Sequence, residues 1–396
     1  TNVTLTSTDN AVTANGTVTA VTGNIEAKAK GNVTTNEKLS AVQGAISLTS
    51  DEASVAVKAE ATAKDDVTLK AEKGDVAING AVTSTVGNVA ATANKAVTTS
   101  ADVKANIDVS LTSAEGAITT GAAVTAETGN IEAKAKGNVE TNGAVQAQNN
   151  VTLTSTDHAV TTNGTVTAVA GNIDATAKGN VTANNNLSAV QGAVSLTSDA
   201  GNVAVEKNGT AIAKNDVTLK AETGNVAING AVTSTAGNVT ATAKTAVTTT
   251  ADVKANKDVT FTSTEGTITT DGAVTAENNV NMEAKGNVET NGAVQAQNNV
   301  TLTSTDHAVT TNGTVTAVAG NIDATAKGNV TANNNLSAVQ GAVSLTSDAG
   351  NVAVEKNGTA IDKNDVTLKA EAGSVAINGA VTSTEQNVIA TAKDTV

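Results

Sequence analysis

Residues 150–175 read NVTLTSTDHAVTTNGTVTAVAGNIDA, and this stretch decides the fold. Val151 and Leu153 alternate with Thr152 and Thr154. A period of two belongs to a strand with one buried face. The 3.6-residue period of an amphipathic helix is missing, and Val and Thr, stiff at χ1, favour a pleated surface. Nine residues after Val151 comes Val160, then Val166, and at Ile173 the pattern begins again. One unit therefore holds three short strands separated by turns containing Asn and Gly.

The unit recurs along the whole chain. Its first apolar position is Val or Ile throughout: Val3, Ile25, Ile46, Val67, Val89, Val109, Ile131 and on to Val388. Two residues later stands Leu or Ala (Leu5, Ala27, Leu48, Leu69), and the sole Phe and sole Met, Phe261 and Met282, fall in that column. A second column runs through Val12, Val33, Val55, Val76, Val97, Ile118 and Val139, and a third through Val18, Leu39, Val82, Val103, Val124 and Val145. Units are 20 to 23 residues long, and seven make a long repeat of 149. Residues 137–212 and 286–361 are identical over 76 positions.

A strand of three to five residues cannot bury its apolar side alone. Stacking successive units puts Val on Val and Leu on Leu, with backbone hydrogen bonds running between units about 4.8 Å apart. The expected fold is all-β, a right-handed three-sided parallel β-helix (β-solenoid) of about 21 residues per coil and about 18–19 coils. One continuous solenoid over residues 1–396 is expected, with long repeats at 1–148, 149–297 and 298–396, the last incomplete. Such a stack makes a rod of roughly 90 Å. The chain opens on Thr1 and stops at Val396 inside a repeat, so a segment of something longer is expected.

The turns have their own columns. Asn or Asp precedes the first Val in most units (Asn2, Asn24, Asp66, Asn88, Asp108, Asn130, Asn150), with Ala at 45, 193 and 342. A second Asn column holds Asn15, Asn36, Asn79, Asn142, Asn163 and Asn184. Asn tolerates left-handed backbone, and stacked amides form ladders. Gly at 23, 44, 87, 129, 171 and 192 is expected at corners of positive φ. Pro is absent, which suits a backbone whose N–H groups nearly all serve ladders.

Composition narrows the function. Of 396 residues, 24 are basic, all of them Lys, and 38 are acidic, for a net charge of −14; Pro, Cys, Trp and Tyr are absent. No disulfide or Cys-based zinc site is possible. No aromatic platform exists for stacking bases or sugars. An acidic chain without Arg is a poor match for phosphate backbones, so no nucleic-acid partner is expected. No apolar run reaches the ~18 residues of a spanning helix, so no membrane insertion is expected. A chain without Cys suits a secreted bacterial protein.

Each candidate for chemistry has a plainer reading. His158 and His307 occupy equivalent TDHAV sequences where the first copy has Asn10, so they are read as turn residues and not metal ligands. Asp51, Glu52, Asp65, Asp66, Asp199, Asp216 and Asp365 are scattered over turns, and the calcium-binding G-G-x-G-x-D repeat is absent. Outward pairs such as Thr4/Thr6, Thr152/Thr154, Thr260/Thr262 and Thr301/Thr303 suit a flat ligand- or ice-binding face, but Glu26/Lys28, Lys70, Glu132/Lys134, Asp174 and Lys220 interrupt it. Unit lengths leave no long loop for a cleft, and no residue constellation is singular enough for catalysis. No enzymatic activity, catalytic residue, metal or cofactor is expected. Asn-x-Thr triplets match glycosylation acceptors, but Asn turns entering Val-Thr strands create them automatically.

The segments GNIEAKAKGNV, GNIDATAKGNV, GAVSLTS and NNVTLTS resemble the repeats of filamentous haemagglutinin-like exoproteins, large bacterial adhesins of the two-partner secretion type. The resemblance covers the whole chain. It implies a secreted or cell-surface location, a right-handed β-helix shaft and a role in adhesion or biofilm. The expected function is a structural shaft or spacer of a long extracellular fibre. A self-assembling filament whose subunits stack end to end is the alternative, and an ice- or carbohydrate-binding solenoid a third. Expected partners are further coils of the same parent chain or identical subunits, and host or neighbouring-cell surfaces reached through another region.

Overall fold

The computed structural model describes residues 1–396. The chain is all-β, with no helix, and winds through three parallel sheets. The first sheet has 19 strands, one for each turn of the coil. The chain divides into two compact units, Thr1–Leu196 and Thr197–Val396.

In the first unit every coil lays one five-residue strand in the first sheet and one three-residue strand in each of the other two. Val3–Ser7, Val12–Ala14 and Val18–Ala20 form the first coil, and Ile25–Ala29, Val33–Thr35 and Leu39–Ala41 the second. The sequence columns are the pairing register. Val3 faces Ile25, Ile25 faces Ile46, Ile46 faces Val67 and Val67 faces Val89. The second sheet stacks Val12 on Val33 and Val33 on Val55, and the third stacks Val18 on Leu39. A one-residue slip would turn each aliphatic row to water, so burial itself enforces this register. Ile46, Leu48, Val67 and Leu69 are completely buried. Each such side chain contributes about 1.5–3 kcal/mol relative to exposure. The outward rows are polar: Thr4 over Glu26, Glu26 over Ser47.

The second unit repeats this plan, with some strands of the second and third sheets one residue longer, such as Asn225–Ile228. Val217–Ala221 pairs with Val239–Ala243, which pairs with Val259–Ser263. One column changes size: Ala241 faces Phe261, Phe261 faces Met282, and Met282 faces Leu302. The smallest of these sits beside the largest.

The glycine corners differ from expectation. No residue, glycine or otherwise, has positive φ. What forbids a side chain there is the coil beneath. A Cβ on Gly44 would lie 2.5 Å from the carbonyl oxygen of Gly23, and one on Gly143 would lie 2.0 Å from that of Ala122. Gly permits close axial stacking of turns, and the left-handed tolerance of Asn is not used either.

Serine accounts for part of the length variation, in the turn that follows the first sheet. In the first unit, turns after strands ending in Ser7, Ser50, Ser113 and Ser155 have four residues, whereas those after Ala29, Ala93, Ala135 and Ala177 have three; Ala71 is an exception with four. The extra residue leaves turn backbone unpaired within the coil. Ser50 Oγ donates to the Gly31 carbonyl at 2.7 Å and accepts from Ala53 N at 3.0 Å, supplying both partners.

Candidate functional site

The chemistry-bearing side chains gather on the turns, where they bond along the stack. In the first unit the column before the first sheet is a ladder. Asn88 N and Nδ2 both donate to Asp66 Oδ1, at 2.8 and 3.0 Å. Asp108 N donates to Asn88 Oδ1, Asn130 N to Asp108 Oδ1, and Asn150 N to Asn130 Oδ1. Asp66 and Asp108 are rungs alternating with amides. The ladder stops where Ala replaces Asn: Ala45 N and Ala193 N still donate downward, to Asn24 and Asn172, but offer no acceptor to the next coil. A second amide ladder joins Asn142, Asn163 and Asn184 through Nδ2–Oδ1 bonds of 2.7 Å. The second unit has its own, Asp271–Asn291 and Asn291–Asn312–Asn333.

The sequence reading missed a charge column on the turn that follows the first sheet. Lys73 meets Glu52 at 3.5 Å, Lys136 meets Glu115 at 2.5 Å, and Lys178 meets Asp157 at 3.7 Å, each pair one coil apart. In the second unit Lys244 meets Glu265 and Lys327 meets Asp306, at 3.6 and 3.2 Å. The signal was the alternation of Lys with Asp or Glu at one turn position from coil to coil, easily lost among scattered charges. The pairs are solvated, so water and salt screen them and each adds little to stability. The Glu115 carboxylate, by hydrogen bond and then by charge, raises the pKa of Lys136.

His158 and His307 take the slot of Asn10. Their backbone N–H groups donate to Ser155 and Ser304 Oγ at 3.1 Å, as Asn10 N does to Ser7 Oγ at 3.2 Å. Nδ1 of each lies 3.3 Å from a Lys carbonyl of the preceding coil, Lys136 or Lys285. The outward Thr pairs lie in a mixed row: Thr152 stands between Glu132 and Asp174. Burial raises the pKa of Asp174 and of its repeat partner Asp323.

Two interior features escaped the columns. Thr99, Thr120, Thr141 and Thr162 stack in the second sheet facing inward, and their hydroxyls have no hydrogen-bond partner. Thr249, Thr270, Thr290 and Thr311 do the same in the second unit. The other is Asp362, 3 % exposed, at the position where the repeat has Ala213. Its Oδ2 accepts from Val343 N at 2.7 Å and its Oδ1 has no partner. Val343 N reaches the Asp365 carbonyl only at 3.3 Å, whereas the equivalent Ile46 N reaches Asp66 O at 2.9 Å. Burial raises the pKa of this carboxyl; the Val343 N–H works against that, and Asp365 adds to it.

What these groups do together is join coil to coil. Donors and acceptors are consumed axially, and the surface recesses, such as one of about 440 Å³ beside Asn130 and Glu132, are shallow gaps between outward side chains. The chain matches no protein-family model and no curated protein.

Proposed function

We propose that the chain is a section of the shaft of a long extracellular bacterial surface fibre, holding a binding region away from the cell in adhesion or biofilm. The observation that supports this most is that all three strands of a coil pair in register with those of the next, as in Val3–Ile25, Val12–Val33 and Val18–Leu39. Backbone hydrogen bonds, amide rungs and Lys–acid pairs then all lie along one direction. Deforming such a stack strains many small bonds at once. A net charge of −14 spread over polar outer rows disfavours lateral clumping. The resemblance to filamentous haemagglutinin-like repeats supports the extracellular setting.

The test uses cells that make the protein. Antibodies against the chain label intact cells on this reading. Deleting one 149-residue repeat shortens the surface fibre by about 34 Å, seven coils of ~4.8 Å, and leaves its attachment intact. Labelling only after lysis, or an unchanged fibre, contradicts it.

A further inference from the structure

The third-sheet strand Thr359–Asp362 runs against the pattern of its sheet. Ala360 and Asp362 face inward and are buried, while Ile361 faces outward and is 41 % exposed. Elsewhere in this sheet the outward residue is Thr, Ser, Lys or Gln, with Ile212 the one other exception, and the second inward residue is Ala or Ser. The turns are uneven as well. Five residues join Val354 to Ala360 and three join Asp362 to Val366, whereas the coil before uses three and four, and so does the coil after.

A shift of the strand by one residue exchanges its two faces. Thr359 then takes the first inward place, Ile361 the second, and Asp362 opens the turn that follows. Both turns become four residues long. Val343 N reaches Asp362 Oδ2 at 2.7 Å and the Asp365 carbonyl only at 3.3 Å; after the shift it returns to the carbonyl, as Ile322 N bonds Ala342 O at 2.9 Å. Against the shift stand the bulk of Ile361 between Ala338 and Ser383 and the inward hydroxyl of Thr359. The charge on Asp362 decides between the two registers. Ionised, the inward carboxylate leaves Oδ1 buried without a partner. Its register partners, Ala338 and Ser383, are neutral. Lys363 and Lys369 are taken up at the surface by Glu385 at 3.6 Å and Glu371 at 2.5 Å, and Asp365 adds only negative charge. No cation is left to hold the ionised form inside.

We propose that Thr359–Asp362 is a pH-operated register switch: with Asp362 protonated the strand holds Ile361 outward, and loss of that proton to water shifts it by one residue, burying Ile361 and releasing the carboxylate to solvent. The carboxyl binds its proton more tightly inside than in water, so acid favours the inward register. In acid the switch presents Ile361 with Val339 along a recess of about 400 Å³, and at neutral pH it withdraws that apolar side chain. The chain carries its own control. Thr210-Ala211-Ile212-Ala213-Lys214 matches Thr359-Ala360-Ile361-Asp362-Lys363 except at Ala213, and Ile212 is likewise 42 % exposed. With no acid to release, Ile212 stays outward at every pH. This inference stands whether or not the chain is a shaft.

The experiment labels the Ile δ1 methyl groups of the full chain with carbon-13 and reads their exposure by NMR, from the relaxation that a soluble gadolinium chelate induces. Ile361→Val and Ile212→Val assign the two signals. At about pH 7.5 the Ile361 methyl is expected to relax severalfold more slowly than that of Ile212, and at about pH 5 to match it. In Asp362→Ala the two methyls should match at both pH values. An Ile361 methyl as exposed as that of Ile212 in the unaltered chain at about pH 7.5 overturns the proposal. So does protection of Ile361 that is the same at both pH values, or that persists in Asp362→Ala.

Discussion

Phe261 and Met282 are register partners in adjacent strands of the first sheet, and both are completely buried. They are the only two side chains in their column that are neither Leu nor Ala, and they meet each other while Ala241 flanks the ring. The narrow interior takes one aromatic ring where its neighbour gives way. Phe261→Ala is expected to cost about 3–5 kcal/mol in a urea melt of the folded chain. The damage should be local, with backbone amides of Val259–Ser263 and their partner strands losing hydrogen-exchange protection and remote coils keeping it.

Gly143 and Gly16 make a matched pair of opposite outcome. A Cβ on Gly143 would lie 2.0 Å from a carbonyl oxygen, whereas one on Gly16 meets nothing within 4 Å. Gly143→Ala should push two coils apart and lower the melting midpoint. Gly16→Ala should leave it unchanged or raise it slightly, through the reduced freedom of the unfolded chain, by about 0.4–1 kcal/mol.

The unpartnered Thr141 hydroxyl yields a prediction against ordinary expectation for a polar group. An unsatisfied buried hydroxyl costs about 1–3 kcal/mol. Thr141→Val keeps the shape and removes that cost, so the variant should be more stable by about 1 kcal/mol in chemical denaturation. A loss of stability would show that the hydroxyl has a partner inside the stack.

Asp362 makes stability depend on pH in a definite direction. Burial disfavours its ionised form, so its folded pKa lies above the unfolded one. Between those values the folded chain binds more protons. Stability attributable to this group therefore falls as pH rises from the ordinary Asp range, about 4, through the raised value, and stays low at neutral pH. Asp362→Ala restores the residue of the equivalent coil, Ala213. It should add about 1–3 kcal/mol at pH 7 and much less at pH 4, read by urea melts at the two pH values.

The fold was readable because its determinants repeat. Val3, Ile25 and Ile46 recur at a spacing no helix satisfies, and a period-two strand of that length has no other way to bury its row. The Asn columns were readable as ladders for the same reason. What the sequence hid depends on distances between coils. Nothing in a one-letter code says that Gly44 is needed because the Gly23 carbonyl lies beneath it and not for its φ. Lys136 and Glu115 look like scattered charges until one full turn of the chain becomes a single axial step. Asp362 was invisible in another way. It breaks a rule at one point of a repeat, and only the packing shows that it is trapped.

The central claim is axial stacking of identical coils, and the absence of cysteine makes it directly measurable. Lys28 and Thr176 are exposed outward residues of the first sheet in the first unit, seven coils apart. Lys28→Cys with Thr176→Cys, spin-labelled, is read by double electron–electron resonance. Stacked coils predict a single narrow distance of about 34 Å. A markedly shorter distance, or a broad distribution reaching past about 50 Å as in an unstacked chain of that length, would contradict the account.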